Sequence, residues 1–386
     1  MGVPADGWAG LAEPARAEIK SAEVVFGSRR QLDLVSVDVQ KVPWPSPLLP
    51  ALDSLFTEHA DRRICVLASG DPLLSGIGTT LVRRFGAEQV RIVPAVSSVA
   101  LARARMGWAA EETEVVSVVG RNVHRVSRAL APGARLVVLS SDGDTPGRLA
   151  SVLVERGFGE SKLTVLEQLG GPAERRVDGW ARDWSHPAGD PLNVVAIECA
   201  GPARPTVPGL PDDAFEHDGQ ITKRDLRASA LARLAPTPGE LLWDVGAGAG
   251  SVGIEWSRTH PSNRAIAVER DAERAARIRR NAETLGVPEL RVVTGSAPEV
   301  LAGLPTPDAV FAGGGVASLD ACLDALRPGG RLVAHAVTLD SEQVLAAAYR
   351  RRGGELIRIA VEHAAPLGGF TGWTPARTVT QWSFLK

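Results

Sequence analysis

Two acids, Asp244 and Glu269, each sit in a short apolar run and frame the stretch of this chain best suited to chemistry. After Leu241-Leu242-Trp243-Asp244-Val245 come Gly246, Ala247, Gly248, Ala249 and Gly250, and then a helical pattern begins. A strand feeding a glycine turn that opens a helix sets backbone N–H groups and a helix N-terminus beside the strand end. Glycine suits such a turn because a Cβ would hold a ligand away from the backbone. Glu269 closes the next apolar run, Ala265-Ile266-Ala267-Val268, roughly 20 residues beyond the glycines, a spacing that suits a carboxylate accepting ribose hydroxyls. A nicotinamide dinucleotide and S-adenosylmethionine both answer that description.

The elements that must position these residues extend further along the chain. Gly295-Ser296-Ala297-Pro298-Glu299 follows a third strand pattern, and Leu326-Arg327-Pro328-Gly329-Gly330 turns into another apolar run. With Asp244 before the glycines, these stations resemble the class I methyltransferases, which favours S-adenosylmethionine. The resemblance implies a Rossmann-like fold, with cofactor contacts from Asp244, Gly246, Ala247, Gly248, Ala249, Gly250, Glu269 and Ala297.

Length and composition limit the alternatives. A chain of 386 residues suggests two domains, and 44% hydrophobic with 23% charged residues is ordinary for packed soluble ones. The net charge of −2 gives no global attraction to nucleic acid or to a membrane. Cys65, Cys199 and Cys322 stand far apart, without metal-site spacing or a disulfide framework, so no metal is expected. No apolar run reaches the roughly 18 residues of a spanning helix, and the first residues lack a signal-peptide pattern. A cytoplasmic protein is expected.

In the first half, strand patterns run into Gly70-Asp71-Pro72, into Ser97-Ser98 and into Gly120-Arg121. Ala68-Ser69-Gly70-Asp71-Pro72, Pro94-Ala95-Val96-Ser97-Ser98, Ser117-Val118-Val119-Gly120-Arg121 and Glu167-Gln168-Leu169-Gly170-Gly171-Pro172 resemble the tetrapyrrole methylases. These class III enzymes hold S-adenosylmethionine in the cleft between two α/β lobes, which implies cofactor contacts from Gly70, Asp71, Pro72, Ser97 and Ser98. One departure is expected to matter: Gly2-Val3-Pro4-Ala5-Asp6-Gly7 reads as what remains of the family's first strand and glycine loop, so the first strand is expected to be truncated.

Gly201 to Pro211 is rich in proline and glycine and reads as a spacer. The expected organisation is a bilobal tetrapyrrole-methylase domain over 1–200, a linker over 201–211 and a Rossmann-like class I methyltransferase domain over 212–386. Ile221-Thr222-Lys223-Arg224-Asp225-Leu226-Arg227 resembles the leading segment of corrin-precursor methyltransferases, with Thr222 matching a threonine near the cofactor. The two halves together resemble methyltransferases of cobalamin synthesis. That resemblance implies methylation of a corrin precursor at C5 by the first half and at C15 by the second, with loss of carbon dioxide from the C12 acetate. Two other readings are an active second half beside a scaffolding first half, and a nicotinamide-dependent reductase of the same pathway. Both families imply a homo-oligomer.

An anionic tetrapyrrole needs cationic partners. Arg29 and Arg30 in the first half, with Lys223, Arg224 and Arg227 in the second, are the candidates. Gly313, Gly314 and Gly315 offer only backbone where many class I enzymes place a catalytic side chain, which suits a large substrate. His335 is expected to be structural rather than a proton shuttle. The nucleophilic carbons belong to the substrate, so no Ser, Cys or Lys nucleophile is required and no catalytic residue is assigned.

Overall fold

The computed structural model describes all residues except 204, 206 and 315. The chain divides into two compact units, Met1–Pro202 and Ala203–Lys386.

The first unit has two lobes. In the leading lobe β1 (Gly2–Val3), β2 (Val24–Gly27), β3 (Gln40–Pro43), β4 (Ile64–Val66) and β5 (Ala68–Ser69) are parallel, paired as β3-β2-β4 and β1-β5. The following lobe is a five-stranded sheet ordered β6 (Thr113–Ser117), β7 (Arg135–Leu139), β10 (Asn193–Glu198), β8 (Lys162–Glu167), β9 (Arg175–Trp180). β6 and β7 are parallel, and the remaining pairs are antiparallel. Helix Ser98–Met106 contributes Val99 and Ala102 to a buried cluster with Val137, Leu139, Leu166 and Val194 of the second sheet.

The first strand, expected to be truncated, is present as a two-residue element. Gly2–Val3 is a strand, paired in parallel with Ala68–Ser69. The Met1 ammonium donates to the Val66 carbonyl at 2.8 Å, and the Gly2 N–H to the Val93 carbonyl at 2.7 Å. A Cβ on Gly2 would come within 2.5 Å of both the Gly70 carbonyl and the Ala95 nitrogen, so glycine lets this strand enter a closely packed slot. Two residues are too few for an alternation pattern, which hid the strand from sequence reading.

The second unit is a seven-stranded sheet. Its strands in chain order are β11 (Leu241–Val245), β12 (Arg264–Glu269), β13 (Arg291–Thr294), β14 (Ala309–Ala312), β15 (Arg331–Ala336), β16 (Glu355–Ile359) and, after the hairpin β17 (Glu362–Leu367) and β18 (Phe370–Pro375), β19 (Val379–Leu385). The spatial order is β13-β12-β11-β14-β15-β19-β16, parallel from β13 to β15, with β19 antiparallel to both neighbours. This is the expected doubly wound, Rossmann-like arrangement. All five residues of β11 are buried, as a central parallel strand covered on both faces requires. One face packs Leu242, Ala265, Ala267 and Phe311 beneath helices Arg224–Leu234, Ser251–Thr259 and Ala272–Thr284. The other packs Trp243, Val310 and Leu332 with Leu345 of helix Leu339–Arg352. Within the expected linker, Gly209 and Leu210 belong to this unit: their N–H groups donate to the buried Glu255 carboxylate at 2.5 and 3.0 Å.

Among the described residues no helix is long and apolar enough to cross a membrane.

Candidate active site

Strand order reverses between β12 and β14 on either side of β11, and such a switch point opens a crevice at the carboxyl ends of the strands. The Gly246–Gly250 turn lies there. Gly246, Gly248 and Gly250 all have positive φ, near 72°, 58° and 75°. The reason for glycine differs from the sequence expectation. A Cβ on Gly246 would meet the Gly314 backbone at 2.8 Å, one on Gly248 the Gln220 carbonyl at 2.7 Å, and one on Gly250 the Ile278 side chain at 2.7 Å. The glycines fit the turn against its own protein neighbours.

The N–H groups of this turn are also largely committed. Gly246 and Ala247 donate to the Val268 carbonyl, Gly250 to Ala247, and Gly248 to Glu269 Oε2 at 2.8 Å. In the first turn of the following helix, Gly253 donates to Asp244 Oδ2 at 2.9 Å. The expected row of free donors is therefore corrected: the strand end, the turn and the two acids satisfy one another. Asp244 is 1% exposed, and burial pushes its carboxyl up to about 7. Glu269 is also buried, and its Oε1 accepts from the Asp271 N–H at 3.0 Å. Each Glu269 oxygen accepts one backbone hydrogen bond, leaving a lone pair for a hydroxyl donor.

Segment 212–223 is pinned across this turn. Asn281, buried, accepts from the Glu216 N–H at 2.8 Å and donates to the carbonyls of Glu216 and Ala249. Arg274 and Arg280 on the same helix pair with Asp218 and Glu216, each at 2.8 Å. Thr222 is half-buried at the end of this segment, and Ala297 packs half-buried against the core beyond β13. No local sequence pattern marks Asn281 or the ion pairs of these arginines. Their partners lie more than 50 residues away, beyond any local pattern.

Arg227 is a correction. It is fully buried, donates Nε–H to Glu255 Oε1 at 2.6 Å, reaches the carbonyls of Thr222 and Leu210, and lies over the Phe215 ring. Such a guanidinium anchors segment 209–222 and is closed to substrate. Lys223, 54% exposed, pairs with Asp212 at 3.4 Å, and Arg224 is exposed. Gly313 and Gly314 follow β14 and back the Gly246 turn; Gly315 lies outside the described residues. His335 is buried in β15, edge-on to Phe311, with Nε2 at 2.8 Å from Gln381 Oε1, and burial pushes its imidazole down to about 4.

In the first unit a cleft of about 370 Å³ lies between the two lobes. Gly70, Ser98 and Arg30 line it. Asp71, Pro72, Ser97 and Arg29 do not, and the first three have structural duties. Asp71 Oδ1 accepts from the Leu73 N–H, Pro72 packs against Gly76 and Gly78, and Ser97 caps the helix through the Ala100 N–H. Arg29 is exposed outside the lining.

Both units thus carry the α/β architecture and crevices of methyltransferases. Residues 213–386 match the family model described as "Precorrin methyltransferase domain", and residues 1–183 match "Tetrapyrrole (Corrin/Porphyrin) Methylases". The chain is 49% identical to the precorrin-6Y C(5,15)-methyltransferase [decarboxylating] of a Sinorhizobium species, covering all of this chain and 95% of that one. It is also 49% identical to the protein of that name from Mycobacterium tuberculosis strain H37Rv, covering 99% of it. A crystal structure of the C-terminal domain of precorrin-6Y C5,15-methyltransferase from Rhodobacter capsulatus is 48% identical, covering 47% of this chain and all of that chain, with a TM-score of 0.45. The chain belongs to the precorrin-6Y C5,15-methyltransferase (decarboxylating) family.

Proposed function

We propose that the chain methylates precorrin-6Y at C5 and C15 with S-adenosylmethionine and removes carbon dioxide from the C12 acetate. Its first unit acts at C5 and its second at C15. The observation that carries the choice of cofactor is the closed hydrogen bonding of the Gly246–Gly250 turn. A dinucleotide would need free N–H donors for its pyrophosphate, and an anion there would also face the Glu269 carboxylate. S-adenosylmethionine carries no phosphate, and its sulfonium charge is complementary to the Glu269 carboxylate.

When bound, S-adenosylmethionine supplies an electrophilic methyl group. The residues present fit it: Glu269 offers acceptors to the ribose hydroxyls, and the 246–250 turn together with Gly313 and Gly314 gives a wall with no side chain larger than a methyl group. Thr222, two residues beyond the Gln220 that lies against Gly248, and Ala297, beyond β13, are assigned as further cofactor contacts. Lys223 and Arg224 take carboxylates of the macrocycle. The protein's contribution is orientation of two bound molecules, worth roughly 7–11 kcal/mol of barrier. Electrons released with the carbon dioxide pass into the conjugated macrocycle, so the chain needs no electron sink of its own.

Incubation of the full chain with precorrin-6Y and methyl-¹³C-labelled S-adenosylmethionine tests this reading. Two labelled methyl groups and one carbon dioxide per macrocycle are expected. A single methyl group would leave one unit as a scaffold, and none would remove the reading.

A further inference from the structure

Arg30 is the one ionisable side chain among the described residues lining the first unit's cleft. It makes no ion pair among the described residues. Its Nη2 donates to Ser69 Oγ at 2.6 Å, and that is its one side-chain hydrogen bond to them. Ser69 is held in turn by Gln31, whose Nε2 donates to the same oxygen at 3.1 Å. Gln31 is fixed by a reciprocal pair with Ser28: the Ser28 N–H donates to Gln31 Oε1, and the Gln31 N–H donates to Ser28 Oγ. The guanidinium is therefore oriented from one side, with its other N–H donors uncommitted.

Arg30 is exposed to solvent at the cleft; partial desolvation there lowers its pKa, and Asp190 counteracts without pairing. The Asp190 oxygens instead accept from Gln168 Nε2 and the Leu192 N–H. An accessible guanidinium with free N–H donors and no anion beside it is open to a ligand carboxylate. The apolar residues nearby indicate what kind of anion completes it. Val96 and Val119 line the same cleft yet are 60% and 44% exposed. An exposed apolar surface beside one forked cation suits a flat hydrophobic ring with a carboxylate at its edge.

We propose that Arg30 is the carboxylate-reading residue of this cleft, pairing with one acetate or propionate side chain of the bound tetrapyrrole, while Ser69 and Gln31 position it. This rests on the reading of the cleft as a methylation site. S-adenosylmethionine also carries a carboxylate, so the test separates the two sources.

The full chain and its Arg30→Ala and Arg30→Lys variants are compared in two assays. The first follows each methyl position of precorrin-6Y separately with ¹³C-labelled S-adenosylmethionine. The second titrates S-adenosylhomocysteine by calorimetry. Arg30→Ala should raise KM about tenfold or more for one methyl position and leave the other within about twofold. Arg30→Lys should recover part of that loss, since a point charge replaces a fork. Affinity for S-adenosylhomocysteine should stay within about twofold. Unchanged KM at both positions would overturn the proposal. A matching loss of S-adenosylhomocysteine affinity would overturn it too, assigning the carboxylate to the cofactor. A parent chain that transfers no methyl group would overturn the underlying reading, and that is seen before any variant is made.

Discussion

Glu269 Oε2 accepts the Gly248 N–H at 2.8 Å, tying the end of β12 to the middle of the glycine turn that leaves β11. One buried carboxylate thus shapes the turn, and in the proposed function its remaining lone pairs accept the ribose hydroxyls. Glu269→Ala should weaken S-adenosylmethionine binding at the second unit by more than about tenfold, the scale of lost charge-assisted hydrogen bonds. Glu269→Gln keeps one acceptor and should fall between the two. Calorimetry checks this, and unchanged binding in Glu269→Ala would remove the residue from the site.

Gly246 and Gly329 both have φ near 72°, but their surroundings differ. A Cβ on Gly246 would press into the Gly314 backbone, while one on Gly329 meets nothing within 4 Å. Gly329→Ala should cost about 1–2 kcal/mol, the ordinary cost of left-handed backbone. Gly246→Ala should cost more than that, and it should also weaken cofactor binding. Denaturant unfolding of the two variants gives the comparison, and equal losses would contradict the close approach of Gly246 to Gly314.

Arg227 and Glu255 form a buried pair at 2.6 Å. Removal of one partner strands the other, a loss of about 3–5 kcal/mol. Arg227→Met should therefore destabilise strongly, and the double variant Arg227→Met/Glu255→Leu should recover part of the loss. A stable Arg227→Met chain with weakened substrate binding would instead return Arg227 to the substrate.

Asp244 titrates at about 7 in the folded chain, because burial disfavours its charge, against 3.8 for an ordinary aspartate. Between those values the folded state holds a proton that the unfolded state has released, so this group's contribution to stability falls as pH rises from about 4 to about 7. Above that range the loss is complete. Asp244→Asn keeps an oxygen for the Gly253 N–H and removes the titration. Its unfolding free energy relative to the parent chain should therefore rise across pH 4–7 and then level off. A pH-independent difference would contradict the shift.

Much of the second unit was legible in the chain. Its glycines, Glu269 and the Pro-Gly-Gly turn are local patterns, and a parallel sheet announces itself through runs such as Leu241–Val245. The reasons behind them were less legible. That Gly246 faces Gly314, and Gly248 faces Gln220, depends on segments brought together only by folding. Arg227 read as a cationic partner for the substrate because its own partner, Glu255, lies 28 residues on in another helix. Arg29 and Arg30 are adjacent in sequence, yet only Arg30 lines the cleft, a distinction set by the short helix Arg29–Asp33. Strand Gly2–Val3 was hidden by its brevity.

The most direct test of the account is the number of S-adenosylmethionine sites per polypeptide, measured by calorimetry on the full chain. Two sites are expected, one of them lost in Glu269→Ala. An absence of binding, with tight binding of a nicotinamide dinucleotide in its place, would contradict it.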